Sequence, residues 1–276
     1  MTALPADAFA MEELLRFYAD AGYDEALEDA PVDRFAEAPR RAAPEVPAPR
    51  QSPPAPSAAI VRPATTAVVP DAEQVQRAHG LAREARTLDE LREIVAAFDG
   101  CNLKFTAKNT VFSDGNPEAS LMLVGEAPGR DEDIEGRPFV GKSGQLLDRI
   151  LAAIGRDRTN CYIANIVCWR PPGNRDPSPL ETEICRPFIE RQIELAAPKV
   201  MVTLGNPSTK LLLKAQTGIM RMRGNWTTYV TPGGAEIAAM PTLHPAYLLR
   251  NPAHKKLAWR DFLEVKVRLA ELTAAE

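Results

Sequence analysis

Three short apolar runs, at residues 121–124, 162–167 and 200–204, alternate with capped helical patterns, and no other feature restricts the fold as strongly. Strands separated by helices need crossover connections, which set the strands parallel and lay helices over both faces. The expectation is an α/β fold: a three-layer α/β/α sandwich around a central, mostly parallel four-stranded sheet. Residues 238–243 supply the fourth strand. The helix signals are local. A helical pattern begins at Asp71, and Thr87-Leu88-Asp89-Glu90 is a capping box before Leu91, Ile94 and Val95. Ser143 is placed to cap a helix that runs through Ile154 and stops at Gly155. Ser178-Pro179-Leu180-Glu181 starts another toward Ala196, and Asn206-Pro207 a further one. Open α/β sheets bind ligands at the carboxyl ends of their strands. Glu126, Asn165, Gly205 and His244 all stand at such ends.

The chain of 276 residues is long enough for one large domain and a tail. Three segments are expected: 1–30, 31–72 and 73–276. The first is a short acidic helical segment, with Met11, Leu14, Leu15 and Tyr18 at helical spacing. It reads as a helix docked on its own domain or fraying in solvent, with a tethered peptide for a protein partner as the alternative. The second is rich in proline and alanine and is expected to be a disordered linker, because it has too little apolar surface to offset the entropy of ordering. The third is a single folded domain. Residues 1–30 carry eight acids against Arg16, a charge of −7; residues 31–75 sum to zero, so the whole-chain −4 leaves +3 for the rest. A mildly basic globular part permits nucleic-acid binding without requiring it. No run of eighteen apolar residues suggests a membrane span, and the N-terminus lacks the basic-then-apolar order of a secretory signal. Four cysteines in a chain this long do not form a disulfide scaffold, so a reducing, cytoplasmic setting is expected.

The first strand runs into Gly125-Glu126-Ala127-Pro128-Gly129, followed by Asp131, Glu132 and Asp133, the turn Gly136-Arg137-Pro138, and Phe139. Glycine and proline let a backbone approach a ligand closely and hold it there. Asn165 ends the run Tyr162-Ile163-Ala164-Asn165 and precedes Trp169-Arg170-Pro171-Pro172-Gly173-Asn174-Arg175. His244 opens His244-Pro245-Ala246-Tyr247-Leu248-Leu249-Arg250. In order and spacing these motifs resemble the family 4 uracil-DNA glycosylases, from about Cys101 to the C-terminus. The resemblance implies a monofunctional enzyme that hydrolyses the N-glycosidic bond of uracil in DNA and leaves an abasic site. A protein that binds uracil or abasic DNA with little turnover is the alternative. A third reading, an anion-binding loop at residues 125–129, is opposed by the acids at 131–133 and by the lack of a following Gly-Lys-Ser/Thr.

By that resemblance Glu126 and His244 are catalytic. Glu126 orients water or stabilises the cationic sugar, and His244 faces O2 of the departing base. Phe139 stacks on uracil, and Asn165 reads its edge, since a carboxamide offers one donor and one acceptor to match O4 and N3–H. Glu132 matches a further acidic position near the base. Gly125, Ala127 and Gly129 keep side chains away and offer backbone N–H groups. Leu248 and Leu249 are expected as an apolar wedge in a loop entering the minor groove, with Arg250 beside them. Arg170 and Arg175, with Lys142, Lys255 and Lys256, are candidates for phosphate contacts. The expected partner is uracil-containing DNA, met by a monomer with no membrane association. Family 4 members hold a four-iron four-sulfur cluster on four cysteines, and the matching positions here are Phe98, Cys101, Trp169 and Cys185. Only Cys101 and Cys185 remain as ligands. Cys168 is expected to point away from them, and Cys161 to lie too far along the strand. The sequence therefore reads as a branch without the cluster, and no cofactor or metal is expected.

Overall fold

The structure is a computed structural model and describes residues 71–274. The expectations for the acidic segment and for the linker up to residue 70 lie outside the described residues. A six-stranded sheet forms the middle layer: β1 (Ser113–Gly115), β2 (Leu121–Gly125), β3 (Tyr162–Asn165), β4 (Val200–Leu204), β5 (Thr227–Val230) and β6 (Glu236–Thr242). Its spatial order is β1-β3-β2-β4-β6-β5. The four inner strands are parallel, as expected. The expected count of four falls short because β1 and β5 add antiparallel edges. Ser113-Asp114-Gly115 has no apolar signature, and it pairs only because it lies beside β3.

The helices are α1 (Asp71–Glu84), α2 (Leu88–Ala97), α3 (Arg130–Glu135), α4 (Lys142–Ala153), α5 (Pro179–Ala196), α6 (Asn206–Leu213), α7 (Ile219–Met222), α8 (Pro245–Arg250) and α9 (Lys255–Ala274). The two expected capping boxes are present: Thr87 Oγ1 accepts the Glu90 N–H at 3.2 Å, and Ser178 Oγ accepts that of Glu181 at 3.2 Å. α4 begins one residue before Ser143, at Lys142, and its cap is Gly141.

Strand periodicity divides the core into two faces. Met122, Val124, Tyr162, Ala164 and Met201 face a layer that includes Leu91 and Val95 of α2 and Ile184 and Phe188 of α5. Leu121, Leu123, Ile163, Val200 and Val202 face Leu147 and Leu151 of α4 and Phe262 and Val265 of α9. Every residue of β2, β3 and β4 is buried, as strands covered on both sides require. No helix among the described residues is long and apolar enough to cross a membrane.

The expected cluster positions lie inside the first of these cores. Phe98 and Trp169 are each 1% exposed. The Phe98 ring meets Phe188 edge-on at 5.0 Å, and the Trp169 indole N–H donates to Thr110 Oγ1 at 3.0 Å. Cys101 and Cys185 are buried beside them and share a thiol hydrogen bond. That bond, with burial and the neighbouring cysteines, holds the Cys185 thiol well above its usual range. Cys168 is buried in the same core, and burial, with the neighbouring Cys101, pushes its thiol up to about 12. The chain has left β3 at Asn165, so strand alternation no longer dictates where Cys168 points. Cys161 lies elsewhere, its thiol donating to the Asp157 carbonyl at 2.9 Å. Three thiols and two aromatic rings are not the donor set of a four-iron cluster, which needs four thiolates or close substitutes.

Candidate active site

The parallel register brings the motifs together. Gly125 pairs with Asn165 across β2 and β3, and the chain leaving β3 stays beside the first motif through Ile166 N–H to Gly125 O at 3.1 Å and Val167 N–H to Glu126 O at 3.0 Å. Gly205 at the end of β4 bonds the Thr242 carbonyl at 2.8 Å, which sets the exit of β6 and hence His244. A cleft of about 590 Å³ opens above these strand ends. Glu126, Phe139, Asn165 and His244 line it, as do Ala127, Gly129 and Glu132.

Asn165 is 2% exposed, and its Oδ1 has no hydrogen-bond partner. A buried carbonyl without a donor costs about 1–3 kcal/mol, so its persistence calls for an explanation, and a ligand N–H supplies one. Gly125 lies behind the cleft. A Cβ there would stand 2.4 Å from Asn165 Oδ1 and 2.7 Å from Phe139 Cζ, so only glycine lets the amide and the ring meet over it. Phe139 and His244 have ring centroids 5.5 Å apart at 30°. Gly205 has φ +95°, and a Cβ on it would come within 3.0 Å of His244 Cβ.

His244 caps α8: its Nδ1 accepts the Ala246 N–H at 3.1 Å. An Nδ1 that accepts cannot carry the proton, so Nε2 does. Burial, with the charge of Arg250, lowers the His244 pKa to about 4, so the ring is neutral at physiological pH. Burial, reinforced by Asp176, raises the Glu126 pKa to about 7. The site therefore offers a neutral N–H donor, a carboxyl near its midpoint, an aromatic face and an unpaired amide oxygen.

Other expected residues fall differently. Asp131, Glu132 and Asp133 lie in α3, with Glu132 and Asp133 buried. Glu132 reaches the cleft, but its oxygens accept the N–H groups of Gly129, Val140 and Gly141, each at 3.1 Å. Asp133 accepts from Lys108 N–H at 2.7 Å and Asn109 N–H at 3.2 Å. The expected wedge loop is the short helix α8. Leu248 is 1% exposed and packs with Leu146, Leu243 and Ala258, so it belongs to the core, whereas Leu249 is 40% exposed. Arg250 lines the cleft. Arg170 Nε donates to Asn174 Oδ1 at 2.7 Å and its guanidinium lies 4.0 Å from Asp133, outside the cleft wall. Arg175 lines the cleft while paired to Glu181 at 2.6 Å.

Residues 112–263 match the Uracil DNA glycosylase superfamily. The chain is 41% identical over 191 residues to the type-4 uracil-DNA glycosylase of Saccharolobus solfataricus, covering 66% of this chain and 87% of that one. It is 40% identical to the type-4 enzyme of Sulfurisphaera tokodaii, covering 65% and 84%, and 37% identical to that of Archaeoglobus fulgidus, covering 65% and 92%. The chain belongs to the uracil-DNA glycosylase superfamily, in its type-4 family.

For this type-4 member the structure adds residues that the motifs did not single out. Asn174, Asp176, Ser143, Asn206 and Tyr247 also line the cleft. The Asn174-Arg175-Asp176 stretch was visible as an extension of the second motif, and Asp176 matters because its charge reaches Glu126. Asn206 was legible only as a helix start, and its Oδ1 accepts the Ile219 N–H at 3.1 Å. Tyr247 stacks on His254 and bonds its Nδ1 at 2.7 Å, a pairing across two helices that no motif announces.

Proposed function

We propose that this chain is a monofunctional glycosylase that excises uracil from DNA by hydrolysis and leaves an abasic site, the first step of base excision repair. The observation that carries the reading is the unpaired, buried Oδ1 of Asn165 facing the same cleft as the Phe139 ring and the His244 imidazole. An extruded uracil stacked on Phe139 donates N3–H to that oxygen and accepts at O4 from the same amide. Cytosine presents an unprotonated N3 and an amino group there, so it is refused. As the glycosidic bond breaks, negative charge gathers on O2, where the Nε2–H of neutral His244 stabilises it. Glu126, as a carboxylate, faces the cationic sugar or orients the attacking water. Among the described residues no lysine lines the cleft, which supports water rather than a Schiff base in completing the reaction.

The test is excision from uracil-containing oligonucleotides by the purified chain. Repeated turnover supports the enzyme. A single stoichiometric round followed by retained product supports the alternative, a binder of uracil or abasic DNA. The same reading takes the chain as a monomer in a reducing, cytoplasmic setting, where its four free thiols would persist.

The Glu126 pKa near 7 sets a pH dependence. If the carboxylate is the active form, kcat/KM rises with pH and levels off above about 7, and Glu126→Gln is flat as well as slow. Stability runs the other way. Between the unfolded value of 4.5 and the folded value of about 7, the native state binds more protons, so stability falls as pH rises through that window. Glu126→Gln should therefore melt above the wild type at pH 8, with the difference vanishing toward pH 4.5. A Glu126→Gln melting curve that tracks the wild type at both pH values would contradict this.

We further propose that the chain works without an iron–sulfur cluster, because Phe98 and Trp169 occupy two of its four ligand positions. Protein purified anaerobically should be colourless and free of iron. An absorption band near ~400 nm with about four irons per chain would overturn this and would mean that Cys168 had been recruited.

A further inference from the structure

The Phe139 ring faces the cleft, and its backbone is held in an uncommon conformation. Phe139 has φ +56°, in the left-handed region, where a bulky residue is strained by about 1–3 kcal/mol. Such a conformation persists only where its surroundings enforce it. Three contacts do so. Glu132 Oε1 accepts the next two N–H groups, Val140 and Gly141, each at 3.1 Å. Gly144 of α4 lies so close to the Phe139 carbonyl that a Cβ would stand 1.6 Å from its oxygen. Arg158, in the connection between α4 and β3, donates one guanidinium nitrogen to Phe139 O and another to Pro138 O at 3.1 Å.

Arg158 is itself fixed. Its guanidinium bonds Asp114 of β1 and, through Nε, Asp148 of α4 at 3.0 Å. It is not among the residues lining the cleft. A planar guanidinium can hold two consecutive carbonyls and two carboxylates at once, which an ammonium point charge cannot.

We infer that Arg158 is a positioning residue for catalysis: it locks the strained turn at Pro138-Phe139 so that the Phe139 ring is pre-set as the platform for the extruded base. Asp114 and Asp148 serve as its anchors, and Glu132 holds the other side of the same turn. This rests on the reading of the cleft as a uracil site. Without the lock the turn relaxes toward ordinary backbone angles and the ring leaves its place above Asn165. A misplacement of about 1 Å in a reacting group costs up to ~100-fold in rate, so a tilted platform should cost on the order of tenfold.

The test uses the full chain with Arg158→Met and Arg158→Lys. Four quantities are read: melting temperature, single-turnover excision of uracil, inhibition by free uracil, and affinity for duplex DNA bearing a tetrahydrofuran abasic analogue. Arg158→Met should lose about tenfold in both excision and uracil inhibition, while affinity for the base-less DNA stays within about twofold. Arg158→Lys should recover part of the loss. Adding Phe139→Ala to Arg158→Met should cost much less than Phe139→Ala alone, because both changes remove the same platform. If Arg158→Met does not fold, Asp148→Asn, on an exposed anchor, must show the same selective loss in smaller measure. Wild-type excision and uracil inhibition in a folded Arg158→Met would overturn the inference. So would an equal loss in all binding and rate measurements, additive with Phe139→Ala, which would mark a merely structural arginine. A wild-type chain that neither excises uracil nor is inhibited by it would instead sink the underlying reading of the site.

Discussion

His244→Ala should lower single-turnover excision of uracil by ~100-fold, the scale set by removing one preorganised donor from a developing anion. The variant should remain folded. Its structural losses are the ring contact with Phe139 and the α8 cap, where Nδ1 accepts the Ala246 N–H. Loss of the cap costs about 1 kcal/mol, a few degrees in melting temperature for a domain of this size. Asn165→Ala should cost at least about tenfold in the same assay, or ~1.4 kcal/mol of transition-state stabilisation. Its melting temperature should stay level or rise, because the unpaired Oδ1 disappears with the side chain. Both variants should keep their affinity for abasic DNA, which has no base to read. Normal single-turnover rates in both would remove these residues from the chemistry.

Trp169→Ala should be the most damaging of the changes outside the cleft. The indole is 1% exposed, packed in the core with Phe98, Cys101 and Cys185, and bonded to Thr110. Truncation leaves a cavity the size of the ring and strands the Thr110 hydroxyl. Losses of this kind run to about 3–5 kcal/mol, on the order of 10 °C in melting temperature. Cys101→Ala and Cys185→Ala provide the contrast. Each removes one sulfur and one weak thiol bond, so each should cost about 1 kcal/mol. If the core were instead organised around a bound cluster, the cysteine variants would be the severe ones. Thermal melts of the three proteins side by side decide the matter, and a Trp169→Ala midpoint near the wild type would refute the aromatic plug.

The inner sheet, the two capping boxes and the convergence of Glu126, Asn165 and His244 were legible because each has a local cause. Continuous apolar runs mark strands buried on both faces, and Ser-Pro-Leu-Glu marks a helix start wherever it occurs. What escaped depends on contacts distant in sequence. Nothing near Asp133 in sequence reveals that the N–H groups of Lys108 and Asn109 will meet it. Leu248 and Leu249 are indistinguishable in sequence, and the turn of α8 buries one and exposes the other. Arg158 carried no signal at all, since its role exists only once the turn at Phe139 has folded against it.

The cleft draws its parts from four strand ends, and β6 is the last of those strands in chain order. During synthesis from the N-terminus, β2, β3 and β4 emerge before the strand that delivers His244. A chain halted before β6 carries the ring and the amide that seat a base, but not the imidazole that lets it depart. Parallel pairing between distant segments is also slow to form. The group that lets the base depart is thus added to the cleft after the groups that seat it.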